Sequence, residues 1–206
     1  MDLKHLVLAG DSIFDNDGYV LGEAGVIEQL RCALPSTCSA SKVAVDGDCI
    51  KHVKDQIADL PSNATDLIVS VGGNDARFHS ALLSKVKHSN DLDALLSAPL
   101  DEFASDYRRM LDTAKATGLR LYVCTIYTAV PFEDPVWRQF VPLAINKFNE
   151  VIIAEAGAYG VPVLHLQDVC TETSDFSTVS PIEPSNQGGQ KIVNLIVERV
   201  VGPRSA

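Results

Sequence analysis

A chain of 206 residues, 46% of them hydrophobic, has material for one sizeable core and too little for two full domains, so a single domain over residues 1–206 is expected. The formal net charge of −10, with acids scattered rather than gathered in a tail, argues against nucleic acid and anionic membrane surfaces as partners. No stretch approaches the roughly 20 apolar residues that cross a bilayer, and the first residues lack the basic start and apolar length of a secretion signal.

Short runs rich in Val, Ile and Leu alternate with longer segments of helical spacing, the pattern of an α/β fold. The first run, residues 5–10, opens onto Gly10-Asp11-Ser12. A helix over 20–34 leads to the second run, 42–45, which ends in Asp46-Gly47-Asp48. After a helix over 50–60 comes the third run, 67–71, opening onto Gly72-Gly73-Asn74-Asp75. Shorter helical pieces fall between 76 and 97, and a longer helix over 100–117 closes at Gly118. The fourth run, 119–125, precedes a helix over 137–156; the fifth, 161–166, ends near His165. A loop holding Ser180 to Ser185 and a helix over 186–200 complete the chain. Continuous apolar runs suit strands covered on both faces, so five parallel strands are expected. In such a sheet ligands bind at the carboxyl ends of the strands, where these polar groups lie.

The five cysteines, Cys32, Cys38, Cys49, Cys124 and Cys170, are odd in number and form no zinc-type cluster. Reduced thiols in a cytoplasmic setting fit them, with no metal. Phosphate and nucleotide binding lack their signatures, since there is no G-x-x-x-x-G-K-[ST] and no dinucleotide fingerprint, and no H-E-x-x-H points to zinc. The G-x-S-x-G elbow of ordinary α/β hydrolases is absent too.

A serine hydroxyl needs a base to take its proton and donors to hold the oxyanion that its attack creates. Ser12 on a turn between strand and helix, the Gly47 N–H and the Asn74 amide offer such donors. The alternative uses are a helix cap with S-x-x-D spacing to Asp15, a turn and a loop anchor. Gly10-Asp11-Ser12, Gly47 and Gly72-Gly73-Asn74-Asp75, in this order at three successive strand ends, resemble the first three blocks of the SGNH/GDSL hydrolases. The resemblance implies a three-layer α/β/α sandwich with a flavodoxin-like five-stranded parallel sheet. It also implies Ser12 as nucleophile and Ser12, Gly47 and Asn74 as oxyanion donors, in an esterase without metal or cofactor acting on carboxylic esters, thioesters or acetylated sugars.

The fourth block departs from the family. Where the family carries Asp-x-x-His before the final helix, this chain reads Ser180-Pro181-Ile182-Glu183-Pro184-Ser185, followed by Gly188-Gly189-Gln190. Glu183 thus stands in place of the His and Ser180 in place of the Asp. The motifs Asp-Ser-Ile-Phe-Asp-Asn (11–16) and Ile-Glu-Pro-Ser (182–185) resemble an atypical subset of the family. Three readings remain open. Glu183 is the base, with a handicap of about 3 kcal/mol against imidazole that burial reduces, and Ser180 as a neutral hydrogen-bond donor. Alternatively His165, or else His79, supplies a displaced base. In the third, the protein binds an ester or acetylated sugar without turning it over. Asp15, Asn16, Tyr19 and Asp75 are supporting candidates, and Phe132, Trp137 and Phe140 form an aromatic cluster that roofs a pocket or packs helix on sheet. Small uncharged acyl groups are the default substrate, because the acidic surface repels anions.

Overall fold

The computed structural model describes residues 3–86, 88 and 91–202. Five strands, β1 (Lys4–Gly10), β2 (Cys38–Lys42), β3 (Asp66–Ser70), β4 (Arg120–Cys124) and β5 (Val163–Leu164), form one parallel sheet in the order β2-β1-β3-β4-β5. The helices are α1 (Val26–Ala33), α2 (Val53–Ala58), α3 (Gly73–Phe78), α4 (Asp91–Ala116), α5 (Pro135–Ala158), α6 (Leu166–Val169) and α7 (Asn186–Ile196). Val7, Ala9, Leu67, Val69 and Val123 face α2 to α5 on one side of the sheet. Leu6, Leu8, Ile68 and Leu164 face α1, α6 and α7 on the other. Alternate residues of each central strand thus enter opposite cores, which is why the runs read as continuously apolar. The expected three-layer sandwich is present.

The edges of the sheet differ from the sequence reading. The second strand lies at Cys38–Lys42 rather than 42–45, because an edge strand paired only with β1 needs little apolar character. Its Ser39 and Ser41 hydroxyls instead meet the ring nitrogens of His5, at 2.7 and 2.8 Å. The apolar residues 43–45 continue alongside β1 irregularly, with Val43 N and Ala44 N both donating to Leu8 O at 2.9 and 3.1 Å. The last strand shrinks to Val163–Leu164, again an edge.

Three helix starts also move. α4 begins at Asp91 rather than 100 and runs through Pro99, taking in part of the region read as shorter pieces. α1 begins at Val26 rather than 20, after a segment in which Leu21 has a φ of 49°; its first N–H, on Val26, donates to Asn16 Oδ1 at 2.8 Å. α5 begins at Pro135, where Asp134 accepts from the N–H groups of Val136 and Trp137 at 2.8 and 3.0 Å.

The strand order turns back at β1, opening a crevice at the carboxyl ends of β1 and β3. Gly10 stands opposite Ser70 there, with a φ of 125°. A Cβ on Gly10 would lie 1.8 Å from Ser70 O. The Gln56 amide holds the same residue, accepting from Gly10 N at 2.7 Å and donating to Gly10 O at 2.8 Å. Gly10→Ala is therefore expected to cost about 3–5 kcal/mol, the range of severe backbone and packing conflicts. Urea denaturation of the purified variant checks this, and a wild-type midpoint would contradict it.

Candidate active site

Ser12 sits two residues past this glycine, buried at 6% exposure. No helix starts at Ser12, contrary to the strand-to-helix turn expected. The chain closes a tight turn instead, in which Phe14 N and Asp15 N both donate to Asp11 O at 3.1 Å. Nor does Asp15 serve a capping box: it pairs with Lys42 and accepts from Asp46 N at 2.8 Å, tying the Ser12 turn to the loop after β2.

Glu183 is equally buried, at 5% exposure. Its loop is braced from several elements. Ser177 N donates to Glu183 O at 2.8 Å, and Glu183 N donates to Ser180 O at 3.1 Å. On either side, Asn16 Nδ2 donates to Pro184 O at 3.2 Å, and the Tyr127 hydroxyl donates to Ile182 O. Ser185 caps α7 by accepting from Gly188 N at 3.1 Å. Ser180 thus meets Glu183 through its carbonyl, not through the hydroxyl expected to donate.

Burial pushes the Glu183 carboxyl up to about 7; the Ser12 hydroxyl opposes this as a hydrogen-bond donor, Asp46 adds to it, and Arg77 counters it. Glu183 Oε2 nevertheless has no hydrogen-bond partner. The Ser12 hydroxyl thus leaves one of the two carboxyl oxygens without a partner. Asp11 is a second buried carboxyl. Desolvation raises it to about 8, with Glu183 and Asp75 adding repulsion and the Ile13 N–H, 3.1 Å from Oδ1, opposing.

The remaining candidates divide. Asn74 lines the same cavity as Ser12 and Glu183, and its amide donates to Asp48 O at 2.9 Å, leaving its second N–H proton. Gly47 lies on an exposed turn outside that lining. Among the described residues, neither Ser12 N nor Gly47 N donates a hydrogen bond. Asp75 supports rather than lines the site, accepting from Ile50 N at 3.1 Å, and burial raises its pKa. His165 is at the N-terminus of α6, outside the cavity lining, whereas His79 lines the cavity and stacks on Phe148 at 6.4 Å.

The cavity beside Ser12 measures about 330 Å³. Its polar end holds Asp11, Ser12, Asn74 and Glu183, and its walls are mainly aliphatic and aromatic. Phe132 and Trp137, edge to face at 5.2 Å, belong to those walls, while Phe140 is buried in the core. The aromatic cluster therefore splits between the two uses expected of it. Thr125, Ile126 and Tyr127, which follow the fourth run and are candidates for the pocket lining, do line the cavity. Sequence reasoning missed Gln56 and Arg77. Gln56 acts through backbone groups far away in sequence. Arg77, exposed at the cavity and without an ion pair among the described residues, follows Asn74 by three positions and was within reach of inspection.

The profile of the GDSL-like lipase/acylhydrolase family matches residues 8–190. Among solved structures, a mutant of an acetyl-xylooligosaccharide esterase from Geobacillus Stearmophilus is 14% identical with a TM-score of 0.71, covering 100% of this chain and 99% of its own. A phospholipase A1 from Streptomyces albidoflavus NA297 is 17% identical with a TM-score of 0.68, covering 95% and 98%. An extracellular lipase from Streptomyces rimosus is 15% identical with a TM-score of 0.66, covering 93% and 98%. At such identities the likeness speaks for the fold. None of the curated proteins compared with the chain matches it.

Asp11 links the site to stability. Its folded pKa of about 8 exceeds the unfolded value of about 3.9. Between the two the unfolded chain has lost a proton that the folded chain keeps, so stability falls as pH rises through this window. Glu183 and Asp75, raised in the same direction, contribute with the same sign. Asp11→Asn keeps the acceptor for Ile13 N and removes one titration. The decline in unfolding free energy between pH 5 and pH 8 is expected to be shallower in this variant, as measured by urea denaturation at each pH; an equal decline would contradict the buried-acid account.

Proposed function

The chain belongs to the GDSL-like lipase/acylhydrolase family, and on that premise we propose that it is a serine esterase in which Ser12 is the nucleophile and Glu183 the general base. The observation that carries this reading is the burial of the Glu183 carboxyl beside the Ser12 hydroxyl, with its pKa raised to about 7. A carboxylate so tuned is basic enough to take a serine proton near neutral pH.

In the proposed reaction Ser12 Oγ attacks the ester carbonyl carbon and its proton passes to Glu183. The oxyanion is held by the Ser12 N–H and the Asn74 amide, with Gly47 N–H as a third donor once its loop meets substrate. Collapse expels the alcohol, which takes the proton from Glu183, and leaves an acyl group on Ser12. Water then attacks the acyl carbon as Glu183 takes its proton, the bond to Ser12 Oγ breaks, and Ser12 regains the proton from Glu183 as the acid is released. Asp11 stays largely protonated at neutral pH through its burial, which spares Glu183 a second negative neighbour. No metal or cofactor enters these steps, and the partner is a small ester rather than a nucleic acid or membrane.

A second reading, an inactive binding protein for an ester or acetylated sugar, is favoured by one observation: Gly47 stands outside the cavity lining, so the three donors do not all meet at one wall. Turnover separates the two. Ser12→Ala and Glu183→Gln are each expected to lower kcat/KM for p-nitrophenyl butyrate by at least about 100-fold. Equal rates for wild type and Ser12→Ala would favour the binding protein.

The pH profile tests the base itself. The active form needs ionised Glu183, so kcat/KM is expected to rise with pH through about 7. Arg77 lowers this pKa and Asp46 raises it. Arg77→Gln should therefore move the acid limb to higher pH and Asp46→Asn to lower pH. Shifts of the same sign, or none, would remove Glu183 as the titrating base.

A further inference from the structure

The esterase reading leaves the substrate open, and the walls of the cavity narrow it. We infer that the cavity beside Ser12 holds a linear medium-length aliphatic acyl chain, so that the protein prefers esters of such acids to acetate esters. The inference rests on the esterase reading for its chemistry and on the cavity for its ligand class. Beyond the polar end, the space is bounded by Leu83 and Leu96 from the α3 to α4 region, Ile126 after β4, and Val141, Ala144 and Phe148 along α5. Leu83, Leu96 and Phe148 are buried at 5%, 2% and 1% exposure, so the inner end is dry and lined by carbon. A volume of about 330 Å³ is far more than an acetyl methyl fills.

Two polar side chains of the walls are committed elsewhere, and the ring of a third lies on an aromatic neighbour. The Tyr127 hydroxyl donates to Ile182 O, Thr125 Oγ1 accepts from Gln167 N at 3.3 Å, and the His79 ring lies on Phe148. A sugar against the inner wall of Leu83, Leu96, Ile126, Val141, Ala144 and Phe148 would lose its hydration without gaining partners there, a penalty that an alkyl chain does not meet. Assignment to the acyl side follows from the order of the reaction. The acyl group stays attached to Ser12 while the alcohol leaves, so the enclosed end suits the part that stays. The alcohol departs on the side of exposed Arg77.

Ethyl octanoate and octyl acetate are isomers that differ only in which side of the ester carries the chain, so their hydrolysis, followed by pH-stat, tests the assignment. Each buried methylene gives about fourfold in transition-state binding. The kcat/KM for ethyl octanoate is expected to exceed that for octyl acetate, and that for ethyl acetate, by about 100-fold or more. Ala144→Phe and Val141→Phe fill the space from two positions of α5 and should lower the ratio of octanoate to acetate by at least about tenfold, with folding checked by circular dichroism. Octyl acetate hydrolysed as well as ethyl octanoate, with Ser12 required, would overturn the inference while leaving the esterase reading intact.

A readout without turnover separates the two failures. Trp137 is the sole tryptophan of the chain and lines the cavity. Octanamide, a neutral compound with no ester, is expected to change its fluorescence saturably, whereas acetamide at equal concentration does not. Binding of octanamide by a protein that hydrolyses none of the esters would overturn the esterase reading and uphold the ligand class. No saturable change with octanamide would overturn the inference whatever the esters do.

Discussion

Gly10 and Ser70 stand opposite each other at the carboxyl ends of β1 and β3, and the candidate site is built outward from that contact. Because only a residue without Cβ fits against Ser70 O, β1 ends flush with β3, and the chain must turn at once into Asp11 and Ser12. From β3 the chain continues through Gly72 into α3, which carries Asn74 and Arg77 to the same crevice. Gln56 locks the arrangement from α2, bonding both polar groups of Gly10 and also Asp48 Oδ2 at 2.7 Å. Through Asp48, whose carbonyl accepts from Asn74, the same amide is connected to the proposed oxyanion donor. A few backbone contacts thus relate the nucleophile, one donor and the neighbouring loop.

Around that contact stand three carboxyls, Asp11 and Glu183 buried and Asp75 partly so, which desolvation makes costly to ionise. Two have backbone donors, Ile13 N for Asp11 and Ile50 N for Asp75. Glu183 has the least support, with Oε2 unpartnered. A group held in a poor environment by a well-braced loop is the pattern expected of functional rather than structural acids, since a stabilising role would have supplied it with donors. Asp175 makes the contrast. It too is buried, but Lys191 and the N–H groups of Thr171 and Glu172 satisfy it, and their pull outweighs desolvation to hold it below the ordinary carboxylate range. One acid anchors the loop before α7 while another, eight positions on by the numbering of Asp175 and Glu183, is left with an unpartnered oxygen.

The central strands were legible because both faces of β1, β3 and β4 are covered, so their sequences carry the apolar signal without interruption. The edges were not. β2 is written in Ser and Lys, and the apolar residues that follow it misplace the strand, since the ladder depends on backbone groups and on one partner only. The motifs at the strand ends placed Ser12, Asn74 and Glu183 around one cavity, as their positions in an α/β chain suggested. What the sequence concealed was the means by which they are held. Asn16 reads as a polar residue after the nucleophile, yet its amide joins the N-terminus of α1 to Pro184, a contact that no local pattern announces. The volume of the cavity was hidden for the same reason, because it depends on how α4 and α5 pack.

In the proposed reaction a carboxylate acts as the base, and that changes what the surrounding chain must do. An imidazole is oriented by a hydrogen bond to its second ring nitrogen, which is the task of the acid in Asp-x-x-His. A carboxylate has no such second donor, and an acid beside it would repel it. Orientation must then come from the backbone, and here it does: Glu183 is held through its own N–H and carbonyl, and its neighbours Ile182 and Pro184 through theirs. The neutral Ser180 fits this scheme, contributing a carbonyl to the turn and no charge. Under the proposed mechanism, proton transfer to Glu183 moves a single negative charge from carboxylate to oxyanion instead of creating an ion pair. The reaction then gains little from charge pairing at the base and depends more heavily on the donors that receive the oxyanion. That places the larger share of transition-state stabilisation on the Ser12 and Asn74 side of the cavity, with the braced loop of Glu183 supplying a base of suitable strength.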